Sequence, residues 1–130
     1  MNIVADTSVV ISVLFNEASK EKIIDLTKNK NLISPASLHW EIGNAISAMF
    51  KRGRIDYETS IKALDLYKNI KIRFVDVSLQ NSIKIASLNN IYAYDAYFLE
   101  CSKQYNIPLI TLDNRLFEIA RKMKLKVIEV

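Results

Sequence analysis

The chain has 130 residues, the usual length of one globular domain, and half of them are apolar and a quarter charged, the norm for a soluble protein. No apolar run approaches the ~20 residues of a membrane-spanning helix. With Cys101 and His39 as its only cysteine and histidine, the chain excludes an intrachain disulfide and a Cys/His zinc site. The net charge of +4 is compatible with a nucleic-acid partner without demanding one.

In chain order, Asn2 to Ala5 is a short unalternating apolar strand, and Ser8 to Phe15 is too compact and apolar to be anything but a buried helix. Ser19 to Asn29 is a second helix, with Ile23, Ile24, Leu26 and Thr27 on one side. Leu32 to Ser34 is a strand stopped by Pro35. Ser37 caps a helix that runs to about Arg52, with Gly53 as its stop and Leu38, Ile42, Ala45, Ile46 and Met49 on one face. Asp56 caps the next helix, to about Asn69. Ile72 to Val77 is a strand; Ser78 opens a helix ending near Asn89 and Asn90; Tyr94 to Gln104 is another helix. Pro108 to Leu112 is a strand, Asn114 to Lys124 a helix, and Lys126 to Val130 a closing strand.

Strands separated by helices require crossover connections, so the pattern predicts a three-layer α/β/α sandwich on a parallel sheet, one domain over residues 1–130. In such sheets ligands bind beyond the carboxyl ends of the strands. Asp6 and Asp113 fall at that edge, each directly after a strand and before a helix, so each is also a natural helix N-cap. Ser8 offers an alternative cap that would leave Asp6 free. Glu41 borders the buried face of its helix, where the alternative is a carboxylate turned to solvent. Asp95 sits in a first turn, where the helix dipole alone favours an acid. Together the four suggest more than caps. Grouped carboxylates repel unless a cation joins them, and oxygen ligands without Cys or His favour Mg²⁺, with Mn²⁺ as the alternative.

The segments Ile3 to Val10, Ser34-Pro35 through Trp40-Glu41-Ile42, Tyr94 to Leu99 and Ile110 to Phe117 resemble the four motifs of the PIN domain, in order and across nearly the whole chain. The match is closest to the toxin ribonucleases of VapBC toxin–antitoxin modules. The resemblance implies a five-stranded parallel sheet with the first and fourth strands adjacent at its centre. It implies metal-binding and catalytic roles for Asp6, Glu41, Asp95 and Asp113, and hydroxyl support from Ser8 and Thr111. It also implies a metal-dependent endoribonuclease that dimerises and is blocked by a cognate antitoxin. Two departures stand out: Cys101 replaces a residue that is more often small, and Asn114 occupies a place where some relatives carry a further acid.

RNA entering an acidic pocket needs flanking cations, and Arg115 and Arg52 are the candidates for phosphate contact. His39 reads as a surface or interface residue, and Trp40 and Phe50 as packing residues, with a subunit contact as their alternative. An alternative function is a housekeeping or vestigial PIN domain acting as a binding module for RNA or protein. A receiver-like domain phosphorylated on aspartate fits less well, because Asp6 stands without a paired acid and no late strand is followed by a convincing lysine. The start of the chain, Met1 to Ser8, lacks the features of a signal peptide, so a cytoplasmic setting without membrane association is expected.

Overall fold

The structure is a computed structural model that describes residues 1–130. Its strands are β1 (Asn2–Ala5), β2 (Asn31–Pro35), β3 (Ile72–Val75), β4 (Leu109–Ile110) and β5 (Val127–Ile128). Its helices are α1 (Thr7–Leu14), α2 (Lys20–Thr27), α3 (Ser37–Lys51), α4 (Tyr57–Asn69), α5 (Leu79–Asn89), α6 (Ala93–Tyr105) and α7 (Asn114–Lys122). All strand pairs are parallel, in the order β3-β2-β1-β4-β5, so β1 and β4 are neighbours as expected.

That order fixes the layers. The chain steps from β1 to β2 to β3 in one direction, returns across the sheet to β4, then continues outward to β5. Right-handed crossovers put α1–α4 on one face and α5–α7 on the other. Strand order reverses between β1 and β4, which opens a crevice at their carboxyl ends. The inner strands are apolar throughout because both faces are covered: Ile3, Val4, Leu109 and Ile110 have no exposed surface. Leu38 and Ile42 from α3 and Ala96 and Leu99 from α6 close over them. No helix is long and apolar enough to cross a membrane.

Caps set the helix starts. Asp56 accepts from the Thr59 N–H at 2.8 Å and Ser78 Oγ from the Asn81 N–H at 3.1 Å, both as expected. Ser37 is different: it is the first helical residue, Ala36 is the cap, and neither supplies a side-chain cap bond. With only two glycines in the chain, asparagine takes four of the six left-handed positions, at Asn16, Asn29, Asn90 and Asn106, and Gly53 and Lys124 take the others. Pro35 ends β2 inside the strand, not beyond it, and Ile24 is exposed on α2. β4 and β5 are two residues each, shorter than their apolar runs suggest.

Candidate active site

Asp6 directly follows β1 in extended conformation, and its N–H donates to the Ile110 carbonyl of β4 at 3.4 Å. It is the N-cap of α1: Oδ1 accepts from the Val9 N–H at 3.1 Å and from the Ser8 hydroxyl at 2.6 Å. The expectation that Ser8 might cap α1 is therefore corrected; Ser8 bridges instead, with Oγ accepting from the Leu112 N–H at 2.9 Å. Asp6 Oδ2 accepts from the Thr111 hydroxyl, whose oxygen in turn accepts from the Asp113 N–H at 3.0 Å. Only 4% of Asp6 is exposed. Burial pushes its carboxyl up to about 6; Ser8, Thr111 and Val9 oppose the rise as donors, and the charge of Asp113 adds to it.

Glu41 lies in the second turn of α3, half-buried, and burial pushes it up to about 7. The nearby Thr7 hydroxyl lowers it, while the charges of Asp95 and Asp6 raise it. Even so, Thr7 Oγ1 and Glu41 Oε2 are both buried without a hydrogen-bond partner of good geometry. Asp95, in the first turn of α6, is raised by burial and by Asp113, and lowered by Arg115. Asp113 is exposed and caps α7, accepting from the Leu116 N–H at 3.0 Å.

The fold thus brings the four acids together. Asp6 feels Asp113, Glu41 feels Asp6 and Asp95, and Asp95 feels Asp113, a closed ring of repulsion drawn from four segments. No three of them close around one point as a metal cage. Asn114 is exposed at the start of α7, beside Asp113.

Arg115 is placed beside Asp95, but part of its guanidinium is already used: Nη2 donates to the carbonyls of Asn89 at 3.2 Å and Asn90 at 2.9 Å, at the end of α5. Arg52 caps the far end of α3. At 1.5 Å per residue it lies roughly 16 Å along the helix from Glu41, so the fold does not bring it to the acids.

Sequence reasoning passed over Thr7 and Asn44 as walls of the cleft. Thr7, Trp40, Asn44 and Tyr94 line a space of about 420 Å³ around Glu41. Trp40, expected to pack within the fold or at a subunit contact, is 71% exposed in the single chain, so it does not pack within the fold. The available signal was spacing: Trp40 and Asn44 lie four residues apart on α3 and flank Glu41.

The pattern of the PIN domain family matches residues 3–122, and the chain belongs to that family. Comparison with curated proteins returns no significant relative. Among solved structures, the fold is similar to PAE2754 from Pyrobaculum aerophilum, at 17% identity and TM-score 0.72 over 98% of this chain and 83% of that one. It is similar to VapC20 of Mycobacterium tuberculosis, described as a Sarcin-Ricin loop cleaving toxin, at 13% identity and TM-score 0.66 over 98% of both chains. It is also similar to VapBC-1 from nontypeable Haemophilus influenzae, at 22% identity and TM-score 0.65 over 99% of this chain and 98% of that one.

Proposed function

We propose that this protein is a divalent-metal-dependent endoribonuclease and the toxin of a type II toxin–antitoxin pair. The observation that carries the reading is the ring of acids at the β1–β4 crevice: three of the four carboxyls are held above their ordinary range, and Arg115 is the one cation acting on them. A site that stores negative charge in this way suits a hard cation. The donors present fit one, since all are oxygens and Glu41 Oε2 is buried with no partner of its own.

Asp6, Asp95, Asp113 and Glu41 would hold Mg²⁺ or Mn²⁺. When bound, such an ion supplies positive charge at the scissile phosphate and makes water more acidic. The chain's own residues do the rest. Asp6 is locked by three donors and cannot swing away. Glu41 lines the cleft with a proton affinity near neutrality, suited to orient an attacking water and accept its proton. Arg115 opposes the rise that burial and Asp113 impose on Asp95, and offers the remaining guanidinium edge to a phosphate.

The sarcin-ricin loop cleaving activity named for VapC20 supports RNA as substrate, and the VapBC-1 assembly supports a cognate antitoxin as partner. A homodimer and a single catalytic domain over residues 1–130 complete the reading. The test is Mg²⁺-dependent cleavage mapped on total RNA. Asp6→Asn and Asp95→Asn should abolish cleavage while keeping the fold, and a chelator should abolish it in the native protein. Cleavage at native rate by the folded variants would remove the assignment, and RNA binding without any cleavage would favour a binding module.

A further inference from the structure

Away from the acids, a groove of about 740 Å³ runs along β2 and β3 beside the end of α4. It begins at the amino ends of these strands, at Lys30 and Lys71, and reaches His39 and Phe74. Lys30, Lys68, Lys71 and Arg73 line it, and no aspartate or glutamate does. Lys68 complements the α4 dipole from its last turn, which accounts for that residue alone. Four cations sharing one concavity without a counter-charge create a field that draws in anions.

The groove is joined to the acidic cleft by aromatic rings. Phe74, 43% exposed, meets His39 edge-on at 6.1 Å between centroids, and His39 meets Trp40 edge-on at 5.0 Å. Trp40 is also a wall of the cleft around Glu41. Successive helix residues turn by about 100°. His39, Trp40 and Glu41 therefore rotate in step from the basic groove, across an exposed ring, to the acids.

We infer that an unpaired RNA strand extending from the acidic cleft stacks on Trp40 and seats its phosphates in the groove of Lys30, Lys68, Lys71 and Arg73. The inference rests on the ribonuclease reading and names where that enzyme holds its substrate outside the cleft. An acidic peptide would match the cations but has no use for an exposed aromatic step, whereas bases stack on such rings whatever their sequence.

The test reads binding without cleavage. A fluorescent 20-nucleotide mixed-sequence single-stranded RNA is titrated in EDTA at several salt concentrations, following anisotropy and the emission of Trp40, the chain's one tryptophan. Native protein should bind with quenching of Trp40. The variant Lys68→Glu/Lys71→Glu/Arg73→Glu should bind about tenfold or more weakly and lower the salt slope by about two. Lys71→Glu alone should fall between, which guards against misfolding of the triple variant. Trp40→Ala should weaken binding with the slope unchanged. Equal affinity and slope in the folded triple variant would overturn the proposal. So would a decaglutamate peptide that binds the groove where the RNA does not. Because the titration in EDTA reads binding alone, unaltered binding in the folded triple variant defeats this inference whatever the native protein cleaves, whereas groove-dependent binding by a protein that cleaves no RNA in a separate assay with Mg²⁺ defeats only the nuclease reading.

Discussion

The Thr111 hydroxyl donates to Asp6 Oδ2 across 105 residues of chain, and its oxygen accepts from the Asp113 N–H. One side chain therefore ties the acid after β1 to the acid after β4. Thr111→Val keeps the volume, removes the donor to a buried carboxylate and leaves the Asp113 N–H without its acceptor. The expected cost is about 1–3 kcal/mol in urea unfolding. The Asp6 carboxyl, deprived of a donor that favours its charged form, should titrate still higher. Thr111→Ser should restore most of both properties. A Val variant as stable as the native protein would mean that the bridge holds nothing.

Arg115 supports a different corner, with Nη2 on the carbonyls that end α5 and its charge on Asp95. Arg115→Ala should lower unfolding stability by about 1 kcal/mol and raise the Asp95 pKa, observable by carboxyl NMR. If the free edge of the guanidinium also meets a phosphate, the salt slope for single-stranded RNA should fall by about 0.7. An unchanged melting curve together with an unchanged slope would leave Arg115 with neither role.

Much of this was legible in the sequence because local chemistry and global topology agreed. The strand–helix alternation predicted the parallel sheet, and apolar strands ending in Asp6 and Asp113 predicted an acidic carboxyl edge. What was not legible depended on partners distant in the chain. Asp6 and Ser8 are both competent caps two residues apart; Asp6 takes the cap because Ser8 is held by the Leu112 N–H. The strand expected over Pro108–Leu112 pairs only at Leu109 and Ile110, since the next residues turn to serve Asp6 and seat Asp113. Trp40 resembled a packing residue because helix periodicity says which face is apolar but not whether a neighbour covers it.

Cation binding should depend on pH in a direction set by the raised carboxyls. With Asp6 near 6 and Glu41 near 7, both carry protons part of the time at pH 6.5 in the metal-free protein. An ion binding their charged forms must displace those protons. Mg²⁺ or Mn²⁺ affinity should therefore rise from pH 5.5 to 8, with proton release near pH 6.5 detectable by calorimetry in buffers of different ionisation enthalpy. Glu41→Gln should reduce the release. Affinity independent of pH over this range would place the ion elsewhere.

The same shifts fix the sign of stability against pH when no cation is present. Asp6 ordinarily titrates near 3.8 and in the folded chain near 6, so between these values the folded state binds more protons than the unfolded state. Stability is then greatest at low pH and is lost as pH rises through the folded pKa. For a carboxyl this deeply buried, the full effect is on the order of 3 kcal/mol, of which about 1 kcal/mol is regained between pH 7 and pH 5. Glu41 acts in the same direction. In EDTA, the melting temperature should therefore rise by a few degrees on acidification from pH 7 to pH 5. Asp6→Asn keeps an oxygen for the α1 cap but carries no charge, so it should be more stable than the native protein at pH 7 and respond less to acidification. A native pH response retained in full by Asp6→Asn would show that Asp6 is not held against its own charge. Excess Mg²⁺ at pH 7 should recover, for the native chain alone, part of the stability that the substitution supplies.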